Sequence, residues 1–352
     1  MTSLRGFSEG KRSGSPSWVR TSDPRINSPL LCQLSYRGTG PAKVGGSIRD
    51  LLACQGYTAV VQALQAGDPI DVVAPSSAFE RETFERGIKA LRQIGLAPRY
   101  TDEIFTKTGH LAGDDERRRS ELELAFRSDA KALILARGGY GLLRFATALK
   151  KIPRKLVIGY SDTTVLHELW RRAGVPSIHG PMCTQLGEEP SALQRLQSLL
   201  FGQLPPPLTW TARAARKGRV EGPLAGGNLA SLASMCGTPL QPQLRGCIVL
   251  LEDLNEPPYR LDRLLTQLLL SGALEKAKAF VIGDLTAPGE DPAGREDVVV
   301  ERLSSLNVPV VFGAPFGHAG RNQPVAFGCA HALDADKGTL TPLETPGSSP
   351  QS

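Results

Sequence analysis

The sequence lacks several features that would assign a class at once, and each absence excludes something. None of its six cysteines, Cys32, Cys54, Cys183, Cys236, Cys247 and Cys329, falls into C-x-x-C spacing. That removes the usual zinc and iron–sulfur frameworks, and scattered single cysteines suit a reducing compartment. No stretch approaches the roughly 18 uninterrupted apolar residues that a membrane-spanning helix needs. A signal-peptide core is missing too, because Arg5, Lys11, Arg12 and Arg20 interrupt an N-terminus rich in Ser, Gly and Pro. These absences point to the cytoplasm and away from a membrane. The net charge of +6 is no sign of a polyanion partner, since it sits mainly in the N-terminal segment. Residues 1–68 carry eight Lys/Arg against four Asp/Glu, and the rest of the chain carries 33 against 31. With a body so close to neutral, no nucleic-acid partner is expected.

What is present is an ordinary globular composition, 41% apolar and 22% charged, in 352 residues. That suffices for two domains or one large one. Residues 1–66 read as a leader outside the fold or an upstream start-codon artefact. Residues 1–50 have neither a period of 2 nor one of 3.6, and Leu51 to Ala66 offers a helical patch. From Pro69 short apolar runs alternate with helical patterns, which predicts a parallel, doubly wound sheet. The expected organisation is an N-terminal domain over 67–202, a Pro-rich linker over 203–217, a smaller α/β domain over 218–345 and a tail over 346–352.

Two strand–turn units carry the chemistry. The run Leu133 to Ala136 breaks into Arg137-Gly138-Gly139-Tyr140-Gly141, and Leu156 to Ile158 breaks into Gly159-Tyr160-Ser161-Asp162-Thr163-Thr164. Each turn then opens a helical pattern. Parallel packing sets both turns at the carboxyl edge of a sheet, where α/β proteins bind ligands. One turn offers a hydroxyl and the other bare backbone N–H groups, as a serine nucleophile beside an oxyanion hole would. Serine between a strand and a helix is also a favoured N-cap, with Asp162 suited to the helix dipole. The turn also lacks the second glycine of a G-x-S-x-G elbow. Gly138-Gly139 has no such capping role; glycine there lets an N–H approach a ligand closely. An oxyanion needs two donors, and the N–H groups of Asp162 and Gly139 are the candidates.

A serine needs a base, and only His110, His167, His179, His318 and His331 are available. His167 follows Ser161 within a helix and should point away from it. His318 leaves an apolar strand through a Pro/Gly-rich turn and could reach a sheet edge. The carboxylate that orients the imidazole is sought at Glu252-Asp253, where a strand ends, or at Glu256. Alternate strand residues face opposite ways, so only one of the first two should face the site. An acidic helix start with Asn255 and Pro257 is the structural alternative. Gly226-Gly227-Asn228 matches neither phosphate-loop pattern, so no nucleotide cofactor is expected. Arg137, Gly138 and Asn228 are candidate substrate-binding residues, Arg137 because a guanidinium suits a carboxylate.

With these residues in hand, the chain resembles the LD-carboxypeptidase family of serine peptidases, the muramoyltetrapeptide carboxypeptidases. The resemblance runs in order from Pro69 to Leu343. It is carried by Leu111-Ala112-Gly113-Asp114-Asp115-Glu116-Arg117, Ala136-Arg137-Gly138-Gly139-Tyr140-Gly141 and Ile158-Gly159-Tyr160-Ser161-Asp162. Further on come His179-Gly180-Pro181-Met182, Gly226-Gly227-Asn228-Leu229, Leu250-Leu251-Glu252-Asp253-Leu254-Asn255-Glu256-Pro257 and Phe316-Gly317-His318. It implies an N-terminal flavodoxin-like or amidotransferase-like parallel-sheet domain, a smaller C-terminal α/β domain and a site between them. It also implies Ser161 as nucleophile, His318 as base and Glu252, in preference to Asp253 and Glu256, as the carboxylate behind it. The implied substrate is a murein tetrapeptide losing its terminal D-alanine in cell-wall recycling. Neither metal nor cofactor is implied, and a homodimer is expected. A related branch resembles microcin C immunity peptidases, which act on peptidyl or acyl-sulfamoyl nucleotides. A non-catalytic α/β binding protein, with Ser161 as a mere cap, is the alternative of another class.

Overall fold

Continuous apolar runs become buried strands, and stripes of apolar residues three and four apart become the helices that cover them. The computed structural model describes residues 61–286 and 293–346. The first half runs β1 (Pro69–Val73), α1 (Arg81–Gln93), β2 (Ala97–Arg99), α2 (Asp115–Arg127), β3 (Ala132–Leu135), β4 (Leu156–Gly159), α3 (Thr164–Arg172), β5 (Ser177–His179) and α4 (Pro190–Leu200). In α1 the stripe Phe84, Ile88 and Leu91 is buried, and α2 starts at Asp114, whose side chain accepts from the Arg117 N–H. The second half runs β6 (Leu208–Thr209), β7 (Arg213–Arg216), β8 (Arg219–Asn228), α5 (Leu229–Met235), β9 (Ile248–Glu252), α6 (Pro258–Leu270), β10 (Ala279–Ile282), α7 (Ala293–Leu303), β11 (Val310–Phe312), β12 (Val325–Phe327), β13 (Ala330–Asp334) and β14 (Thr339–Pro342). Among the described residues no helix is long and apolar enough to cross a membrane.

The strands form two sheets, ordered β12-β5-β4-β3-β1-β2 and β6-β14-β13-β8-β9-β10-β11-β7. In the first, β1 to β5 are parallel in the flavodoxin-like order 2-1-3-4-5. In the second, β8 to β11 are a parallel block flanked by antiparallel strands. Each parallel block therefore gathers several strand ends along one edge. From the first come the turns after β1, β3 and β4; from the second, the turns after β8 to β11.

Four features differ from the sequence reading, each for a local reason. Val61 and Leu64, expected in the leader, are buried in the core, and the Leu64 N–H bonds to Leu200 O at 2.8 Å. Residues 61–66 thus belong to the fold although they are not helical; residues 1–60 lie outside the described part. The Gly138-Gly139 turn opens only two 3-10 turns, Leu142–Arg144 and Ala146–Ala148, where a helix is expected. Residues 203–217 carry β6 and β7, which edge the second sheet at its two ends, because Pro205-Pro206-Pro207 interrupts only the stretch before them. Finally, β12, from the C-terminal half, pairs antiparallel with β5 in the first sheet, Val325 opposite His179. The described residues all fall within one compact unit of the chain.

Candidate active site

Ser161 lies two residues past the end of β4 and holds φ at 60°, a left-handed conformation rare for serine. Ser161 makes no capping bond, and the residue at the N-cap position of α3 is Thr163. The cap reading therefore fails, and the geometry is that of a strained elbow presenting its side chain at a sheet edge. One glycine suffices here: a Cβ on Gly159 would lie 2.5 Å from Thr163 Oγ1, so Gly159 makes room where the second glycine is missing.

The glycine turn after β3 lies against this elbow. A Cβ on Gly138 would stand 3.0 Å from Ser161 Cβ and 3.2 Å from Met182 Sδ; one on Gly139, at φ +93°, would strike Ser77 Oγ at 2.3 Å. Two serines at the end of β1, absent from the sequence reading, tie the turns together. The Ser76 hydroxyl donates to Asp162 Oδ2 at 2.7 Å, and the same oxygen accepts the Leu142 N–H at 2.9 Å. Ser77 Oγ accepts the Tyr140 N–H at 3.2 Å. Burial pushes the Asp162 carboxyl up to about 6, against the bonds from Ser76 and Leu142 and the charge of Arg118.

At the second edge, Glu252 ends β9 fully buried, and its Oε2 lies 2.8 Å from His318 Nδ1. Burial alone would lower the His318 pKa, but the bond and charge of Glu252, backed by Asp253 and Asp284, raise it above the usual histidine value. The imidazole lies tilted against Tyr160, the residue before Ser161, with ring centroids 4.6 Å apart. The structure thus brings Glu252 and His318 together and sets the pair beside the serine elbow. Strand alternation sends Asp253 the other way, where it accepts the N–H groups of Ala230 and Leu254 and the Asn228 amide. Glu256 pairs instead with Arg260 at 2.8 Å. The turn bearing His318 is held by two residues that sequence reasoning leaves unassigned. Asp284 Oδ2 accepts the Ala319 N–H at 2.7 Å, and Asn322 Oδ1 the Gly317 N–H at 3.4 Å. A carboxylate just after β10 is the only hint of this in the sequence.

The other candidates make contacts that hold the fold. Asn228 caps α5 through Ser231 and is 7% exposed. Its glycines serve packing: Cβ atoms on Gly226 and Gly227 would meet Leu250 O at 2.1 Å and Thr164 Oγ1 at 2.5 Å. Arg137 is exposed and donates to Ala78 O at 2.7 Å. His167 turns into the core between Ser177 Oγ and Gly159 O, and His179 is fully buried beside Tyr160, Phe316 and Phe327, held neutral by desolvation.

Known proteins share this arrangement of sequence and fold. Residues 70–180 match the model of the LD-carboxypeptidase N-terminal domain and residues 221–333 that of its C-terminal domain. The murein tetrapeptide carboxypeptidase of Pseudomonas aeruginosa is 33% identical over 298 residues, 78% of this chain and 96% of its own. A muramoyltetrapeptide carboxypeptidase from Oxalobacter formigenes superposes with a TM-score of 0.65 at 29% identity, over 77% of this chain and 97% of its own. The protein MccF, solved with glutamyl sulfamoyl guanosine, shares the fold at a TM-score of 0.72 and 22% identity, over 83% of this chain and 100% of its own. This chain belongs to the LD-carboxypeptidase family, and it is a serine-type carboxypeptidase.

Proposed function

We propose that the protein removes the terminal D-alanine from murein tetrapeptides at the L,D bond, in the cytoplasmic recycling of cell wall. The observation that carries the reading is the pair of buried Glu252 and half-buried His318 beside the strained Ser161 elbow. His318 Nε2 takes the Ser161 proton as Oγ bonds to the scissile carbonyl carbon, and Glu252 holds the ring and stabilises its cationic form. The N–H groups of Asp162 and Gly139 receive the oxyanion. As the C–N bond breaks, His318 returns the proton to the leaving D-alanine amine. It then deprotonates the water that releases the tripeptide from the acyl-enzyme.

The residues around His318 favour this substrate over an acyl-sulfamoyl nucleotide. A cleft of about 90 Å³ beside the ring is lined, among the described residues, by Glu188, Glu189 and Gln185 and by no aromatic side chain other than His318. A nucleobase would find no stacking platform there, and the carboxylates would repel an anionic linker. The test is mass spectrometry of a purified murein tetrapeptide incubated with wild type and with Ser161→Ala. Loss of one D-alanine by wild type alone is expected. Loss by both proteins would remove Ser161 as nucleophile, and loss by neither, with turnover of a sulfamoyl nucleotide, would replace the substrate.

A further inference from the structure

Three charged side chains of α2 grip the chain just past β1, and one reaches further than fastening a helix to a sheet requires. Arg117 Nη1 donates to Ala74 O and Ala112 O at 3.0 and 2.9 Å, and Glu121 Oε2 accepts the Ala74 N–H at 2.7 Å. Those bonds hold α2 to the strand. Arg118 goes one residue beyond, donating to Pro75 O at 2.7 Å, immediately before Ser76. Its other terminal nitrogen bonds Asp115, and its guanidinium carbon lies 5.2 Å from the centre of the Phe145 ring. The side chain is fully buried. A guanidinium is costly to take out of water, and packed apolar side chains can hold a helix as firmly.

Both turns of the oxyanion hole depend on this one group. Pro75 leads into Ser76 and Ser77, whose hydroxyls fasten Asp162 and Tyr140, and the Ser77 N–H donates to Gly138 O at 3.1 Å. On the other side, a Cβ on Gly141, at φ +142°, would lie 2.3 Å from Arg118 Nη1. Gly141 therefore leaves its space to the guanidinium. Resting on the nucleophile and donors proposed above, we infer that Arg118 is a positioning residue for the oxyanion hole. Its planar fork fixes the Ser76-Ser77 turn, and through that turn the N–H groups of Asp162 and Gly139. Asp115, which also accepts from Arg144 Nε at 2.7 Å, supplies the countercharge. What Arg118 gives the site is geometry, delivered to the backbone from beneath.

The test uses two readouts on the full chain: steady-state cleavage of the tetrapeptide, and the rate at which an alkyl fluorophosphonate labels Ser161. In the second, the Ser161 oxygen bonds to phosphorus, fluoride leaves, and the phosphoryl oxygen occupies the oxyanion hole. Arg118→Met should lower kcat and the labelling rate by about 10²-fold each, the effect of a group misplaced by about an ångström. KM should stay within about twofold of wild type, since ground-state binding is untouched. Arg118→Lys keeps the charge beside Asp115 but cannot bond Pro75 O at the same time. It should lose about tenfold or more in both rates, and it decides the question if the methionine variant does not fold. Arg117→Met loses only the bonds that fasten the helix, and should lower Tm while leaving kcat within about twofold. Wild-type rates in Arg118→Lys, a loss confined to KM, or equal losses of kcat in Arg117→Met and Arg118→Met overturn the inference and leave the reaction standing. Labelling of wild type without tetrapeptide cleavage replaces only the substrate, and the labelling rates then decide. Failure of wild type in both readouts overturns the reaction, and the inference with it.

Discussion

At the carboxyl edge of the first sheet the backbone does the positioning, whereas at the edge of the second sheet charged side chains do. Ser161 and Gly139 hold left-handed φ angles, and neutral hydroxyls and amides from Ser76, Ser77 and Leu142 fasten their turns. Across the cleft, His318 is set by the carboxylates of Glu252 and Asp284. The difference follows from what each edge must supply. A nucleophile and an oxyanion hole need a fixed geometry before the reaction begins. A base that becomes cationic during the reaction needs a countercharge. The first edge should therefore tolerate neutral isosteres, and the second should not.

The largest effect that would break this contrast lies at Glu252. Glu252→Gln should lower kcat by about 10⁴-fold, as loss of the orienting carboxylate does elsewhere. The sign of its pH effect is fixed by the pair. His318 works deprotonated and its pKa is raised, so wild-type kcat/KM should climb through a pKa above the usual histidine value. Without the carboxylate that limb should move to lower pH; a limb that stays put in pH–rate profiles would show that Glu252 does not set the charge of His318. Next comes Gly139→Ala, which drives a Cβ into Ser77 Oγ and strains the turn. A loss of about 10²- to 10³-fold in kcat is expected, the cost of one oxyanion donor, with KM little changed. Steady-state kinetics showing a change confined to KM would move the oxyanion donor elsewhere.

Asp162 sharpens the comparison from the other side. Asp162→Ala strands the Ser76 hydroxyl and the Leu142 N–H, and should cost about 1–3 kcal/mol for each group left unsatisfied. Asp162→Asn should recover most of that loss in thermal melts, because one oxygen accepts both bonds and no charge is required. If Asn proves as damaging as Ala, the first edge depends on charge as well. The smallest effect is expected at Arg137, whose exposed guanidinium is a candidate anchor for the substrate carboxylate. Arg137→Ala should raise KM several-fold, in the range of about 0.5–1.5 kcal/mol for one hydrogen-bonded contact. An unchanged KM would assign it only its bond to Ala78.

The parallel strands were legible because each is a short apolar run closed by a turn rich in glycine or serine, as at Leu133 to Ala136 and Leu156 to Ile158. β8 was not, since Gly222, Pro223, Gly226 and Gly227 disguise a strand whose glycines exist for close approach by neighbours. Nor was β12, because its partner β5 lies far away in sequence and three residues carry no periodicity. At the site, Ser161 and the glycine turn could be read from their strands, and alternation divided Glu252 from Asp253 without saying which faced inward. Likeness to a family supplied that choice. The parts played by Ser76, Asp284 and Asn322 depend on tertiary packing, which leaves no local pattern in the chain.

The three residues of β12 also set an order of events during synthesis. Chains emerge N-terminus first, and most domains fold as their own residues appear. Here β5 leaves its outer edge open until Val325–Phe327 arrives to pair with it, long after Ser161 has been made. An open edge is a template for unwanted pairing. The serine-bearing sheet is therefore finished only once His318 has also been translated, so a nascent or truncated chain holds neither a complete sheet nor a complete set of catalytic groups. Hydrolytic competence is expected to arrive only after both His318 and Val325–Phe327 have been made.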